Sequence, residues 1–220
     1  MKRTVITTSD GSSTLKVEDW GETYHSVHGA IQEALHVYIK NGFERLDIGD
    51  YRILEMGFGT GLNALLTFIN AEQLGKKVVY HGVEGFPLSV SEVEGLNYTS
   101  DGNMPEFEGV FKSLHRLDWE KEIDITDFFR IKKIESQFED LHLNQEYDLI
   151  YFDVFGYPYQ PELWTEAIFE RMYASLNKNG LLVTYACRGI IKHAMKQVGF
   201  EIEVCAGPPG KREMLLAWKR

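Results

Sequence analysis

From Tyr51 to the end of the chain, short apolar runs alternate with segments of helical periodicity, and this alternation limits the possible folds more than any other feature. RILEMG (52–57) reads as a buried strand. LNALLTFINAEQLG (62–75) has apolar residues three and four apart and ends in Gly75, which predicts a helix. KKVVYHGVE predicts a second strand, LSVSEVEGLN a short helix, and FFRIKKIE a third strand, with KEIDI before it an open candidate for a hairpin partner that is not counted in the sheet. Between them, Asn97 to Leu117 reads as irregular, with Gly102, Pro105 and Gly109. YDLIYFDVF is nearly uniformly apolar, as a central parallel strand is. PELWTEAIFERMYASLNKNG predicts a helix with Pro161 in its first turn and Gly180 past its end. LLVTYAC follows as a strand, GIIKHAMKQVG as a helix, and FEIEVCAG and EMLLAWK as a closing antiparallel pair around GPPGKR. The expected fold is therefore α/β and Rossmann-like, with a mostly parallel seven-stranded sheet and a C-terminal antiparallel hairpin. Residues 1–45 read as an appendage, a hairpin near Val5 to Val17 and a helix around Ala30 to Lys40, ahead of a domain spanning 46–220.

The 220 residues suffice for one good core. No apolar run approaches the roughly 20 residues of a membrane span, and MKRTVITTSDGSS lacks the apolar centre of a secretory signal. With two cysteines, Cys187 and Cys205, neither a disulfide framework nor metal-ligand spacing is expected. His28 and His36 are too far apart on a helix to share an ion, and with His25 they read as surface or substrate-contact residues. These features suit a cytoplasmic protein with reduced thiols and no metal. The net charge of −10 is not that of an obvious nucleic-acid binder, yet Lys178 to Arg220 holds eight Lys/Arg against three Glu, a local +5 that leaves −15 elsewhere. That excess is either a solvated tail or a basic face suited to a polyanion.

LEMGFGTGLN (54–63) places Gly57, Gly59 and Gly61 between the first strand and the first helix. In an open α/β sheet, ligands bind outside the carboxyl ends of the strands, beside such a turn. Glycines there let a ligand approach backbone N–H groups without meeting a Cβ. Glu84 ends the second strand, where a carboxylate accepts both hydroxyls of a ribose. Together these point to a nucleoside-containing ligand. The absence of GxxxxGK[ST] argues against a P-loop nucleotide. Glu55, two residues before the first glycine, either receives the ammonium group of an amino acid, which favours S-adenosyl-L-methionine, or merely orders the turn. Asn63 opens the helix beside it.

The fourth strand ends in YFDVFGYPYQPELW. Asp153 at its carboxyl end is aimed at the ligand crevice, and Phe155, Tyr157 and Tyr159 beyond it offer a flat substrate surfaces to stack on. The plainer reading is an Asp capping the loop, with the aromatics covering the sheet edge.

LEMGFGTGLNALLT, FDVFGYPYQPELW and GKREMLLAW, with YHSVHGAIQEALHVYI near the N-terminus, resemble the methyltransferases that convert 5-aminomethyl-2-thiouridine to 5-methylaminomethyl-2-thiouridine at the tRNA wobble position. The resemblance runs from about Tyr24 to Trp218. It implies a class I S-adenosyl-L-methionine-dependent methyltransferase fold, S-adenosyl-L-methionine as cofactor and the anticodon stem-loop of tRNA as partner. In many family members the methyltransferase is fused to a flavin-dependent oxidase. This chain is too short to hold one, so it resembles the stand-alone form, with a separate oxidase acting upstream. The resemblance implies Glu55, Gly57, Gly59, Gly61, Asn63 and Glu84 at the cofactor, with Glu135, Ser136 or Gln137 in the place of the family's adenine-side acid. It puts Asp153 at the reacting amine, and Tyr24, Phe155, Tyr157, Lys211 and Arg212 at the substrate. The loop departs from the family in its Gly156–Tyr157–Pro158–Tyr159. An amine methylation needs no metal, and Asp153 suits it as a hydrogen-bond acceptor for the nucleophile; a carboxylate is too weak a base to deprotonate an amine fully. Two other functions stay open on the sequence. An aminopropyltransferase resembling spermidine synthase shares the fold and the strand-four acid, and a non-catalytic tRNA-binding module would keep the fold alone.

Overall fold

In the computed structural model, which describes residues 1–100, 102–141, 143 and 147–220, the alternating segments build one eight-stranded sheet. Its strands are β4 (Asp50–Met56), β5 (Lys77–Glu84), β6 (Glu122–Asp124), β7 (Phe129–Glu135), β8 (Tyr147–Phe152), β9 (Leu176–Thr184), β10 (Glu201–Ala206) and β11 (Glu213–Trp218). Their order is β10-β11-β9-β8-β4-β5-β7-β6. β9, β8, β4, β5 and β7 run parallel, and β10/β11 form the expected antiparallel hairpin at one edge. The expected seven strands become eight because KEIDI does pair, through the three residues of β6, antiparallel to β7. β4 lies where the strand order reverses, so the crevice opens beside its carboxyl end and that of β8.

One face of the sheet packs on α2 (Leu62–Leu74) and on N-terminal residues such as Leu15, Val37 and Tyr38. The other face packs on α5 (Glu166–Ser175) and α6 (Gly189–Gln197), through residues such as Phe169, Met172 and Met195. Because both faces are covered, the central strands carry almost no exposed side chains, which is why they read as apolar runs.

Three segments differ from the sequence expectations. The stretch read as irregular contains a helix, α4 (Glu108–Arg116), whose Phe111 and Leu114 are buried. After a short capped helix, α3 (Val90–Glu94), the intervening Gly and Pro residues outweighed that apolar spacing. The helix read over 161–180 is a 3-10 turn (Pro161–Trp164) followed by α5, and LNKNG already belongs to β9. There Tyr147 pairs with Leu176 and Leu149 with Leu181, so residues 177–180 bulge out, with Asn179 at a φ of 64°. The N-terminal part holds a three-stranded antiparallel sheet of β1 (Arg3–Thr7), β2 (Ser13–Val17) and β3 (Glu22–Thr23). The helix expected at 30–40 is α-helical as α1 (Ala30–Ala34) and then widens into a π-helical turn, Leu35–Lys40. No described helix is long and apolar enough to cross a membrane.

Candidate functional site

The carboxyl ends of β4, β5 and β8 open onto a cavity of about 300 Å³, at the lower end of the usual range for ligand pockets. Gly57, Gly59, Glu84 and Gln137 line one side, and Asp153, Phe155, Gly156 and Tyr185 another. The N-terminal part closes it with Trp20, Glu22, Thr23 and Tyr24.

The glycine turn is held by the second strand. Gly57 N and Phe58 N both donate to Val83 O, and Gly59 N donates to Glu84 Oε2 at 2.8 Å. Glu84 Oε1 accepts from Phe86 N at 2.8 Å. The carboxylate is thus fixed by two backbone donors while still facing the cavity. Burial raises its pKa, and the N–H groups of Phe86 and Gly59 oppose that shift. Gly57, with φ 94°, lies so close to the end of β8 that a Cβ there would sit 2.4 Å from Asp153 O. This glycine brings turn and strand end together, a demand separate from ligand access. Gly59 lies under the Tyr24 ring. Gly61 faces His115 at the start of α2, outside the cavity.

Asp153 is the carboxylate on the opposite wall. Asn63 Nδ2 donates to its Oδ2 at 2.8 Å. Burial pushes Asp153 up to about 6. The nearby Tyr38 hydroxyl, Asn63 and Lys211 hold it down, and Glu33 pushes it up. Of these neighbours, only Asn63 has a well-formed hydrogen bond to it, because Tyr38 Oη is buried without a partner of good geometry. The loop after Asp153 is fixed by Trp164 Nε1 donating to Phe155 O and Tyr185 Oη donating to Val154 O, both at 2.9 Å. A carboxylate that keeps its charge near neutral pH, beside a cavity with a nucleoside-type acid on the far wall, can orient a cationic or nucleophilic amine.

Several sequence candidates fall elsewhere. Glu55 does not reach the cavity. It is fully buried, bonded to Asn63 and to Tyr80, so it cannot receive an ammonium group directly. In β4 its side chain turns inward, toward α2. Of the three candidates for the adenine side, Gln137 lines the cavity, whereas Glu135 at the end of β7 and Ser136 after it do not. Tyr157, Lys211 and Arg212 line a separate open groove of about 760 Å³, which shares Glu22, Thr23, Tyr24, Gly156, Tyr159 and Tyr185 with the cavity. Lys211 is ion-paired there with Glu33 and stands 3.9 Å from the Tyr185 ring centre.

Trp20 was not legible as a site residue. Its ring meets Phe155 edge-on at 5.2 Å and lies nearly parallel to Tyr159, centroids 6.4 Å apart. Tyr24 meets Phe155 at 5.0 Å, and its hydroxyl accepts from Arg3 Nη1 at 2.9 Å. Arg3 also donates to Glu92 and to Phe86 O, tying the N-terminal wall to the loop after β5. Among the described residues, no group of three or more His, Cys, Asp or Glu could hold a metal ion.

A family model described as S-adenosyl-L-methionine-dependent methyltransferase matches residues 103–220, more than half the chain. The chain is 25% identical over 209 residues to the tRNA 5-methylaminomethyl-2-thiouridine biosynthesis bifunctional protein MnmC of Marinomonas sp., covering 88% of this chain and 30% of that protein. It is 27% identical over 211 residues to the protein of the same name from Idiomarina loihiensis, covering 88% and 35%. The chain thus spans about a third of the length of these curated relatives. Among solved structures, MnmC2 from Aquifex aeolicus superposes with a TM-score of 0.81 at 22% identity, over 100% of this chain and 70% of that one. Spermidine synthase from Thermotoga maritima superposes at 0.55 and 14%, over 98% and 73%. At these identities both structures speak for the fold.

Proposed function

The chain belongs to the family of S-adenosyl-L-methionine-dependent methyltransferases, and on that premise we propose that it methylates the 5-aminomethyl nitrogen of 5-aminomethyl-2-thiouridine at the tRNA wobble position. The observation that carries this reading is Asp153 at the end of β8, facing across one cavity to the glycine turn and Glu84. The names of the curated relatives supply the substrate.

The residues present fit the cofactor. Glu84, fixed by backbone donors, would accept the ribose hydroxyls, and the turn at Gly57 and Gly59 would border the amino-acid end. Gln137 would stand nearest the base. When bound, S-adenosyl-L-methionine supplies a methyl carbon made electrophilic by its sulfonium. Asp153 accepts a hydrogen bond from the substrate amine, directs the nitrogen lone pair and offsets the positive charge that develops there. With a pKa of about 6 it is mostly charged at neutral pH yet still far more acidic than an alkylammonium, so it suits accepting a hydrogen bond better than full deprotonation of the amine. Trp20, Tyr24, Phe155 and Tyr159 would hold the flat base, and the groove past Tyr157 and Arg212 would take the phosphate backbone of a flipped-out nucleotide. In this reading residues 1–45 form a wall on the transferase of 46–220, which acts in the cytoplasm on an amine made by a separate oxidase.

The test uses tRNA carrying the aminomethyl nucleoside and S-adenosyl-L-methionine labelled on its methyl group. Nucleoside analysis should find label in 5-methylaminomethyl-2-thiouridine and none in tRNA lacking the precursor. No label in that nucleoside would refute the substrate assignment.

A further inference from the structure

Behind Asp153, a buried hydrogen-bond chain runs into the layer between the sheet and α2. Asn63, 3% exposed on the first turn of α2, donates through one nitrogen to two carboxylates: Glu55 Oε1 at 2.9 Å and Asp153 Oδ2 at 2.8 Å. Tyr80 in β5 donates its hydroxyl to Glu55 Oε2 at 2.7 Å. Glu55 and Tyr80 are 0% exposed. An amide nitrogen has two hydrogens, so Asn63 is saturated as a donor by this pair. Its Oδ1 is buried without a partner, and a buried orphan acceptor costs free energy. An arrangement serving packing alone would be expected to avoid that cost. Here both N–H groups are committed to carboxylates instead, one at the cavity and one in the core.

We propose that Asn63 is the positioning residue for Asp153, holding its carboxylate toward the cavity with Glu55 and Tyr80 as the fixed anchor behind it. The proposal rests on the reading of Asp153 as the group that receives the substrate amine. With Oδ2 held, the carboxylate plane cannot rotate freely, and its charge is presented in one orientation before substrate arrives. Glu55 thereby acquires a part in the site without touching the cavity. Burial drives its carboxyl well above the usual range, against the hydrogen bonds from Tyr80 and Asn63. The groups around Asp153 are Glu55 from β4, Asn63 from α2, Tyr80 from β5, Glu33 from α1, Tyr38 from the π-helical turn, Tyr98 after α3, Tyr185 after β9 and Lys211 from the closing turn. Of these, Asn63 alone joins Asp153 to the interior of the sheet.

Asn63→Leu keeps the shape and removes both donors. Two measurements decide the matter. The first is a carbon-13 titration of the aspartate carboxyls in the protein without tRNA, the Asp153 signal being identified by its loss in Asp153→Asn. Loss of a hydrogen bond to a charged acceptor should move the Asp153 midpoint up by about one to two pH units. The second is single-turnover methyl transfer on saturating tRNA. Its acidic limb should move with the midpoint, and its alkaline plateau should fall about ten-fold or more from lost aim. Damage to packing alone would lower stability without moving the midpoint. If Asn63→Leu does not fold, Asn63→Ser, too short to reach both carboxylates, carries the same expectation. An unmoved midpoint in a folded variant overturns the proposal. Because the titration needs no tRNA, a moved midpoint supports it even if the wobble-uridine reading fails.

Discussion

At the scale of single residues, Asp153 ties chemistry to stability. Its carboxyl is pushed by burial to about 6, above the roughly 3.9 of an unfolded aspartate. The folded state therefore binds more protons than the unfolded one between about pH 4 and pH 6, so this group favours folding as pH falls through that window and opposes it above. Methyl transfer by the proposed mechanism needs the opposite state, the carboxylate. Activity should hold above about pH 6.5 and decline below pH 6, in the range where this group's contribution to stability rises. Asp153→Asn removes the charge and keeps the shape. It is expected to cut single-turnover methyl transfer by a factor on the order of 10² or more, while raising stability at pH 7 by on the order of 1 kcal/mol in urea unfolding. A variant that loses activity and stability together would mark Asp153 as a structural cap.

Among the elements, β4, the glycine turn and the end of β8 meet in a close junction. Gly57 occupies a left-handed φ with Asp153 O where a Cβ would go, so Gly57→Ala should destabilise the protein by roughly 2–4 kcal/mol through strain and overpacking. Urea midpoints measure this, and a loss under about 1 kcal/mol would show that the turn can yield. This junction was legible in the sequence because glycines after an apolar run have few other uses, and so was the strand-end position of Asp153. The direction of Glu55 was not. Its place before the glycines suggests the ligand, but a strand side chain faces whichever layer its alternation dictates, and here that is the core. Glu135, Ser136 and Gln137 show the same limit, since a register error of one or two residues at a strand end decides which side chain enters the cavity. Trp20 was hidden for another reason. Its partners, Phe155 and Tyr159, are far along the chain, and no local pattern records a neighbour that only folding supplies. α4 was hidden by its own glycine and the proline before it, although Phe111 and Leu114 pack as a helix face.

Over the whole molecule, the local +5 of Lys178 to Arg220 against −15 elsewhere divides into two kinds of cation. Lys211 is committed: it pairs with Glu33, whose side chain is 7% exposed and which also accepts from Ser26 N, and so it joins the closing hairpin to the N-terminal wall. Arg212 beside it is exposed on the rim of the groove, and Arg188 lies 6.0 Å from the Tyr157 ring. Treating Lys211 and Arg212 as one basic turn would therefore mix an ion-paired lysine with an exposed arginine. Lys211→Ala leaves a buried carboxylate uncompensated and should destabilise the protein by roughly 1–3 kcal/mol, less than the ~3–5 of a fully buried pair because Lys211 is 32% exposed. Arg212→Ala, and Arg188→Ala with it, should leave stability and S-adenosyl-L-methionine affinity unchanged. These two variants should instead weaken tRNA binding and flatten the slope of log affinity against log salt by about 0.7–0.9 for each phosphate that is no longer neutralised. Filter binding across a salt series reads both quantities. If the double variant Arg188→Ala/Arg212→Ala binds tRNA with the wild-type affinity and slope, the backbone does not cross this groove. The nucleotide must then approach past Trp20 and Tyr24, over the N-terminal wall.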